Sequence, residues 1–67
     1  MAITLKAARV NSNLTQPEAA EILGVSTDTL RNWEKGKTFP NVQQIKCIEE
    51  AYGVSYNDLI FLPEHSA

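Results

Sequence analysis

The sequence predicts an all-α fold, a compact bundle of five short helices, and three observations predict it. First, residues that tolerate a left-handed backbone alternate down the chain with helix-capping residues: Asn13 then Thr15, Gly24 then Ser26, Gly36 then Asn41, Gly53 then Ser55. Gly and Asn accept the positive φ that ends a helix. Ser, Thr and Asn side chains accept the unpaired amide hydrogens that open the next one. Second, apolar residues recur at steps of three and four. Third, helical spacing outweighs alternation of apolar and polar residues along the chain, so no strand is expected. With 67 residues, 43% of them hydrophobic, the chain makes one domain around one core. We draw it over residues 1–63, with 64–67 as a loose tail.

The first helix, near 3–12, places Leu5 and Ala8 three apart. The second, 16–23, opens on Thr15-Gln16-Pro17-Glu18, with Glu at the third helical position of a capping box and Pro17 in a first turn that does not need its amide. Ala19, Ala20 and Leu23 share its inner face. The third, 27–35, is capped by Ser26 and held by Leu30 and Trp33. The fourth, 42–52, opens on Asn41-Val42-Gln43-Gln44 and carries one apolar stripe of Val42, Ile45, Ile48 and Tyr52, with Cys47 as packing. The fifth, 56–61, opens on Ser55-Tyr56-Asn57-Asp58, with Asp in the capping-box position. Connections of two to six residues are ordinary for a compact helical domain.

Composition narrows the function classes. The net charge is −2, which does not advertise a nucleic-acid partner. The placement of charge matters more than its sum. Five of the six basic residues (Lys6, Arg9, Arg31, Lys35, Lys37) precede residue 40, whereas Glu49, Glu50, Asp58 and Glu64 lie late in the chain. A basic face and an acidic back are expected. No apolar run approaches the ~18 residues that span a membrane, and the N-terminus does not read as a signal peptide. One cysteine and one histidine exclude an internal disulfide and a protein-only zinc site. A reduced, cytoplasmic protein without membrane contact, metal, cofactor or small-molecule substrate is expected. Nothing in the chain assembles an active site: His65 falls in the tail, the glycines are isolated, and no carboxylates cluster.

The informative segment is 16–35, QPEAAEILGVSTDTLRNWEK. Two short helices joined by Gly24-Val25-Ser26 pack at a steep angle if the first offers a small residue, Ala20, and the turn offers a glycine, Gly24. Leu23, Val25, Leu30 and Trp33 then fix the pair to the body. This is helix-turn-helix spacing. An ordinary αα-corner in an interaction domain remains the alternative.

The string LTQPEAAEILGVSTDTLRNWEKGKTFPN resembles the Cro/C1-type (XRE) helix-turn-helix family of phage and plasmid transcriptional repressors, through Leu14-Thr15-Gln16, Leu23-Gly24-Val25-Ser26, Trp33-Glu34-Lys35-Gly36 and Pro40 in order. The resemblance covers roughly residues 3–60. It implies a five-helix bundle of the lambda-repressor-like DNA-binding type, and an operator of double-stranded DNA as partner.

On that resemblance the third helix enters the major groove and its outward residues Thr27, Asp28, Arg31 and Asn32 read bases. Asn pairs with adenine, Arg with guanine or a phosphate, Thr with a thymine methyl, and Asp accepts from cytosine. Asp28 has two rival roles, as a filter against wrong sites and as a negative charge suited to a helix start. Phosphate contacts are implied for Thr15, Gln16 and Ser26 at the helix openings, and for Lys35, Lys37, Thr38 and Asn41 around the following loop. The resemblance also implies a structural ion pair between Arg9 and Glu34 beneath the DNA-facing surface. Glu49 departs from the family, which often has a small apolar residue there.

The C-terminal stretch is more apolar than a final short helix requires. Tyr56, Ile60, Phe61 and Leu62 form a candidate dimer patch, and a homodimer suits a palindromic operator with half-sites about 34–36 Å apart. Capping the core of a monomer is the other reading of these residues. Three functions therefore stand at this point: a sequence-specific DNA-binding regulator of repressor type, the antitoxin of a toxin–antitoxin pair, and a helix-turn-helix-like domain that binds only protein.

Overall fold

A computed structural model of the chain describes residues 2–61. Its elements run β1 (Ile3–Thr4), α1 (Leu5–Asn11), α2 (Gln16–Leu23), α3 (Thr27–Lys35), α4 (Val42–Tyr52), a single 3-10 turn (Tyr56–Asp58) and β2 (Leu59–Ile60).

Capping sets where the helices begin and end. Thr15 accepts from the Glu18 amide, and its own amide donates to the Glu18 carboxylate at 2.9 Å. These donors hold the exposed Glu18 carboxyl below its ordinary range, the backbone bond being the larger cause and the Thr15 hydroxyl the second. Ser26 caps α3 through the Thr29 amide, and Asn41 and Gln44 make a reciprocal box at α4. At the other ends Gly24, Gly36 and Gly53 are left-handed, as is Asn13 at φ 60°. A β-carbon on Gly24 would meet nothing within 4 Å. Glycine is favoured there by its backbone conformation rather than by crowding.

The core lies where the four helices meet. Leu5 and Ala8 of α1, Ala19, Ala20 and Leu23 of α2, Leu30 and Trp33 of α3, Ile48 and Tyr52 of α4, and Leu59 form one buried cluster. Leu30 and Ile48 are its largest fully buried side chains. The alanines of α2 keep that helix close to its neighbours, because nothing larger fills the space between them. Val25 of the turn and Leu14 pack against the same cluster.

Six expectations are corrected. There are four α-helices and no fifth: residues 56–58 make one 3-10 turn. Ser55 accepts from the Asn57 amide rather than from the third position, and the Tyr56 amide donates to Glu49 instead, at 2.8 Å. The chain then extends, and Ile3 and Thr4 pair in parallel with Leu59 and Ile60. The sequence predicts no strand, because the alternation over Ile3-Thr4-Leu5-Lys6-Ala7 is brief and runs straight into a helical pattern, and β1 uses only its first two residues. A five- or six-residue helix is marginal without strong tertiary support, and here the backbone bonds with β1. The same pairing moves the start of the first helix from 3 to Leu5, with Thr4 as its cap. On α4 the apolar stripe begins later than expected, since Val42 is 73% exposed. Cys47 is exposed and is not packing. Leu62 and the tail 64–67 lie outside the described residues.

Candidate nucleic-acid interface

The helix-turn-helix places α3 on the outside of the body. Leu30 and Trp33 point inward and are 0% and 3% exposed. Helical spacing carries Asp28, Arg31, Asn32 and Lys35 to the opposite side. Asp28, Arg31 and Lys35 are exposed, and Thr27 and Asn32 are half-buried at the edges of that side. Among the described residues no hydrogen bond engages the Asn32 carboxamide. It therefore retains a donor and an acceptor in the geometry that matches an adenine edge. The Asn32 carbonyl is occupied, taking the Lys37 amide at 2.9 Å and so folding the loop back onto the end of α3.

Asp28 and Arg31 do not act as separate side chains. Arg31 Nη1 donates to Asp28 Oδ1 at 2.8 Å across one helical turn. The spacing of three was visible in the sequence, but the pairing was not part of the sequence reading.

The residues around the helix openings divide into two sets. Thr15, Ser26 and Asn41 are exposed and spend their side chains on capping. Lys35, Lys37 and Thr38 are exposed, and the two lysines have no ion-pair partner among the described residues. Their charges are available to an external anion, next to the neutral Phe39 and Pro40. Gln16 is turned inward: its Nε2 donates to Glu34 Oε1 at 3.0 Å. The second N–H of that amide is not committed.

Beneath this surface Arg9 and Glu34 are joined by two hydrogen bonds, Nε to Oε2 at 2.7 Å and Nη2 to Oε1 at 3.3 Å. Their side chains are 9% and 4% exposed. Arg9 Nη1 also donates to the Leu14 carbonyl at 2.8 Å. One buried guanidinium thus ties α1 to α3 and to the segment ahead of α2, while Gln16 ties α2 to the same carboxylate. The sequence reading did not anticipate the links to Leu14 and Gln16. The apolar stripe of α4 places Tyr52 inward but says nothing of its hydroxyl, which is buried with no hydrogen-bond partner among the described residues. Burial pushes the Tyr52 phenol up to about 12, with the Glu34 charge adding to the rise and Arg9 opposing it.

On the far side of the α3–α4 loop lies an apolar surface. Phe61 sits between Phe39 and Tyr56, with ring centroids 6.2 Å from each. A shallow hollow of about 280 Å³ is lined by Phe39, Pro40, Ile45, Tyr56 and Phe61. Tyr56 is 51% and Ile60 40% exposed. Phe61 is half-buried against the core, so only part of the expected patch faces outward. Glu49 borders this surface, and its bond to the Tyr56 amide explains a carboxylate at that position. Among the described residues no helix is long and apolar enough to cross a membrane, and no group of His, Cys, Asp and Glu could hold a metal.

Two helices joined at the left-handed Gly24, the second polar and outward and braced from behind by an ion pair, define a helix-turn-helix domain. The chain belongs to the Cro/C1-type (XRE) helix-turn-helix family, whose profile matches residues 5–59. It is 39% identical over 56 residues to the HTH-type transcriptional activator BcrR of Enterococcus faecalis, and 34% identical over 56 residues to Antitoxin PezA of Streptococcus pneumoniae serotype 4 (strain ATCC BAA-334 / TIGR4). Each match covers 84% of this chain, but the chain spans only 28% and 35% of those two relatives.

Proposed function

We propose that this domain is a sequence-specific DNA-binding transcriptional regulator of the cytoplasm, reading the major groove with the outward side of α3. The observation that carries this reading is the uncommitted Asn32 carboxamide beside the Arg31 guanidinium on a helix anchored by Leu30 and Trp33. Base readout needs directional polar groups on a rigid support, and phosphate contacts need cations without internal partners. Lys35 and Lys37 meet the second need, and the exposed Thr38 adds a neutral hydroxyl donor. Thr15, Gln16, Ser26 and Asn41 stand at helix starts, which carry partial positive charge. The family and the likeness to a transcriptional activator support the reading. Repression, as in the phage and plasmid proteins that the sequence resembles, is the regulatory sense we assign.

The partner is a palindromic duplex bound by a homodimer. The protomer measures 32 × 27 × 22 Å. Two copies side by side fit half-sites one helical turn apart, about 34–36 Å. The apolar surface around Tyr56, Ile60 and Phe61 is the contact we assign between them.

A second reading, an antitoxin, is favoured by the likeness to Antitoxin PezA, and in it the same apolar surface takes a protein partner. Selection from random duplexes at low salt tests the first reading. One enriched site is expected, and Asn32→Ala weakens that site by about 1–3 kcal/mol while leaving random DNA almost unchanged. No enrichment, or equal losses on both duplexes, refutes it.

A further inference from the structure

We infer that Asp28 is a positioning residue for Arg31: the ion pair aims the Arg31 guanidinium at a guanine in the major groove and withholds it from the phosphate backbone. This rests on the reading role proposed above for α3.

The geometry argues for a built unit rather than two solvated charges. Asp28 lies in the first turn of α3, where unpaired amides favour a carboxylate regardless of any arginine. The carboxylate therefore has its own reason to stay in place, and Arg31 is the member that is held. Arg31 is also the better covered of the two, its side chain 46% exposed against 83% for Asp28. The bond engages Nη1 alone, and no other side-chain bond to Arg31 exists among the described residues. A guanidinium is planar and rigid, so holding one nitrogen while the side chain tethers Nε limits the orientation of the plane and leaves other N–H groups to donate in parallel. Guanine presents two acceptors, O6 and N7, on one edge.

Charge then sorts the two possible DNA partners of Arg31. A phosphate brought to this guanidinium would also approach the bare Asp28 carboxylate, and like charges repel. A guanine edge carries acceptors but no net charge. Lys35 and Lys37 make no ion pair among the described residues and hold no carboxylate against an approaching phosphate. The basic residues at the DNA side thus divide into one cation aimed at a base and two left for the backbone. The same argument revises Asp28, which acts through Arg31 rather than as an independent reader.

The test uses the site enriched from random duplexes and a scrambled duplex of equal length. Affinity and its salt dependence are measured for the wild type, Asp28→Asn, Arg31→Ala and the double variant, with thermal melts to verify folding. The enriched site is expected to contain a guanine whose replacement by 7-deazaguanine, which lacks N7, weakens the wild type about tenfold. That penalty disappears in Arg31→Ala and shrinks severalfold in Asp28→Asn. Asp28→Asn also steepens the salt dependence on scrambled DNA by about one unit, as Arg31 turns to a phosphate. In the double variant the 7-deazaguanine penalty equals that of Arg31→Ala alone. A guanine preference left intact by Asp28→Asn, or losses that simply add, overturns the inference while the reading role of α3 stands. A wild type that enriches no site at low salt overturns both.

Discussion

Replacing Glu34 with leucine leaves Arg9 charged, buried and stripped of its carboxylate. Two of the three hydrogen bonds of Arg9 go, at 2.7 and 3.3 Å, and only the Leu14 carbonyl remains. Gln16 loses its acceptor as well. With side chains only 9% and 4% exposed, water cannot replace the lost partner without opening the junction of α1 and α3. Removing one member of a buried pair costs about 3–5 kcal/mol. A domain of this length has a total stability of roughly 3–10 kcal/mol, so Glu34→Leu consumes roughly 30% of it at least. At roughly 4–8 °C per kcal/mol, the midpoint of thermal unfolding falls by at least ~12 °C. Arg9→Met is expected to cost a similar amount for the mirrored reason. The double variant Arg9→Met/Glu34→Leu buries no charge, and its loss is expected to be smaller than that of either single variant. Urea and thermal melts followed by circular dichroism measure all three. A loss under about 1 kcal/mol in the single variants, the worth of an exposed pair, refutes the account, as does a double variant whose loss equals the sum.

Five further outcomes are expected. Tyr52→Phe removes a buried hydroxyl without a partner among the described residues and raises stability by up to about 1 kcal/mol; a clear loss in denaturant melts would mean that the hydroxyl is bonded. The Tyr52 phenol is raised in the folded state from 10.0 to about 12, so its contribution is complete below pH 10 and is lost as pH climbs towards 12. The difference in alkaline stability between wild type and Tyr52→Phe reads this directly. Gly24→Ala meets no atom within 4 Å but keeps φ at +73°, so it costs about 1–2 kcal/mol of backbone strain, and Gly24→Asn costs less; a neutral alanine variant would contradict the left-handed turn. Lys37→Ala lowers the salt dependence of DNA binding by about one unit, and an unchanged slope removes Lys37 from the interface. Tyr56→Ser shifts sedimentation towards monomer with little loss of folding, because Tyr56 is half exposed, and a wild type monomeric at high concentration ends the dimer assignment.

The apolar surface beside the α3–α4 loop bears on both functional readings. Phe39 is 59% exposed, and Val42, 73% exposed, lies at the start of α4. The sequence places Val42 as the first core residue of a helix. In the fold Phe39 leans on Phe61, which itself reaches into the core. The loop and the C-terminal segment therefore share a surface that their sequence positions do not reveal.

What was legible without coordinates was whatever depends on neighbours within one turn. Caps, left-handed glycines, the inner faces of α2 and α3, and the outward side of α3 all follow from residues spaced by one to four, because helix geometry is local. The Arg9–Glu34 partnership came from the resemblance, since no local rule joins residues 25 apart. Tertiary structure alone decided the rest. The end of the chain became a 3-10 turn and a strand rather than a helix because Glu49 takes the Tyr56 amide and Ile3 and Thr4 pair with Leu59 and Ile60. Gln16 turned inward because the Glu34 carboxylate lies within 3.0 Å of its amide. Each of these outcomes is a competition between a local bond and a distant partner, and the winner depends on which groups the packed core brings within reach.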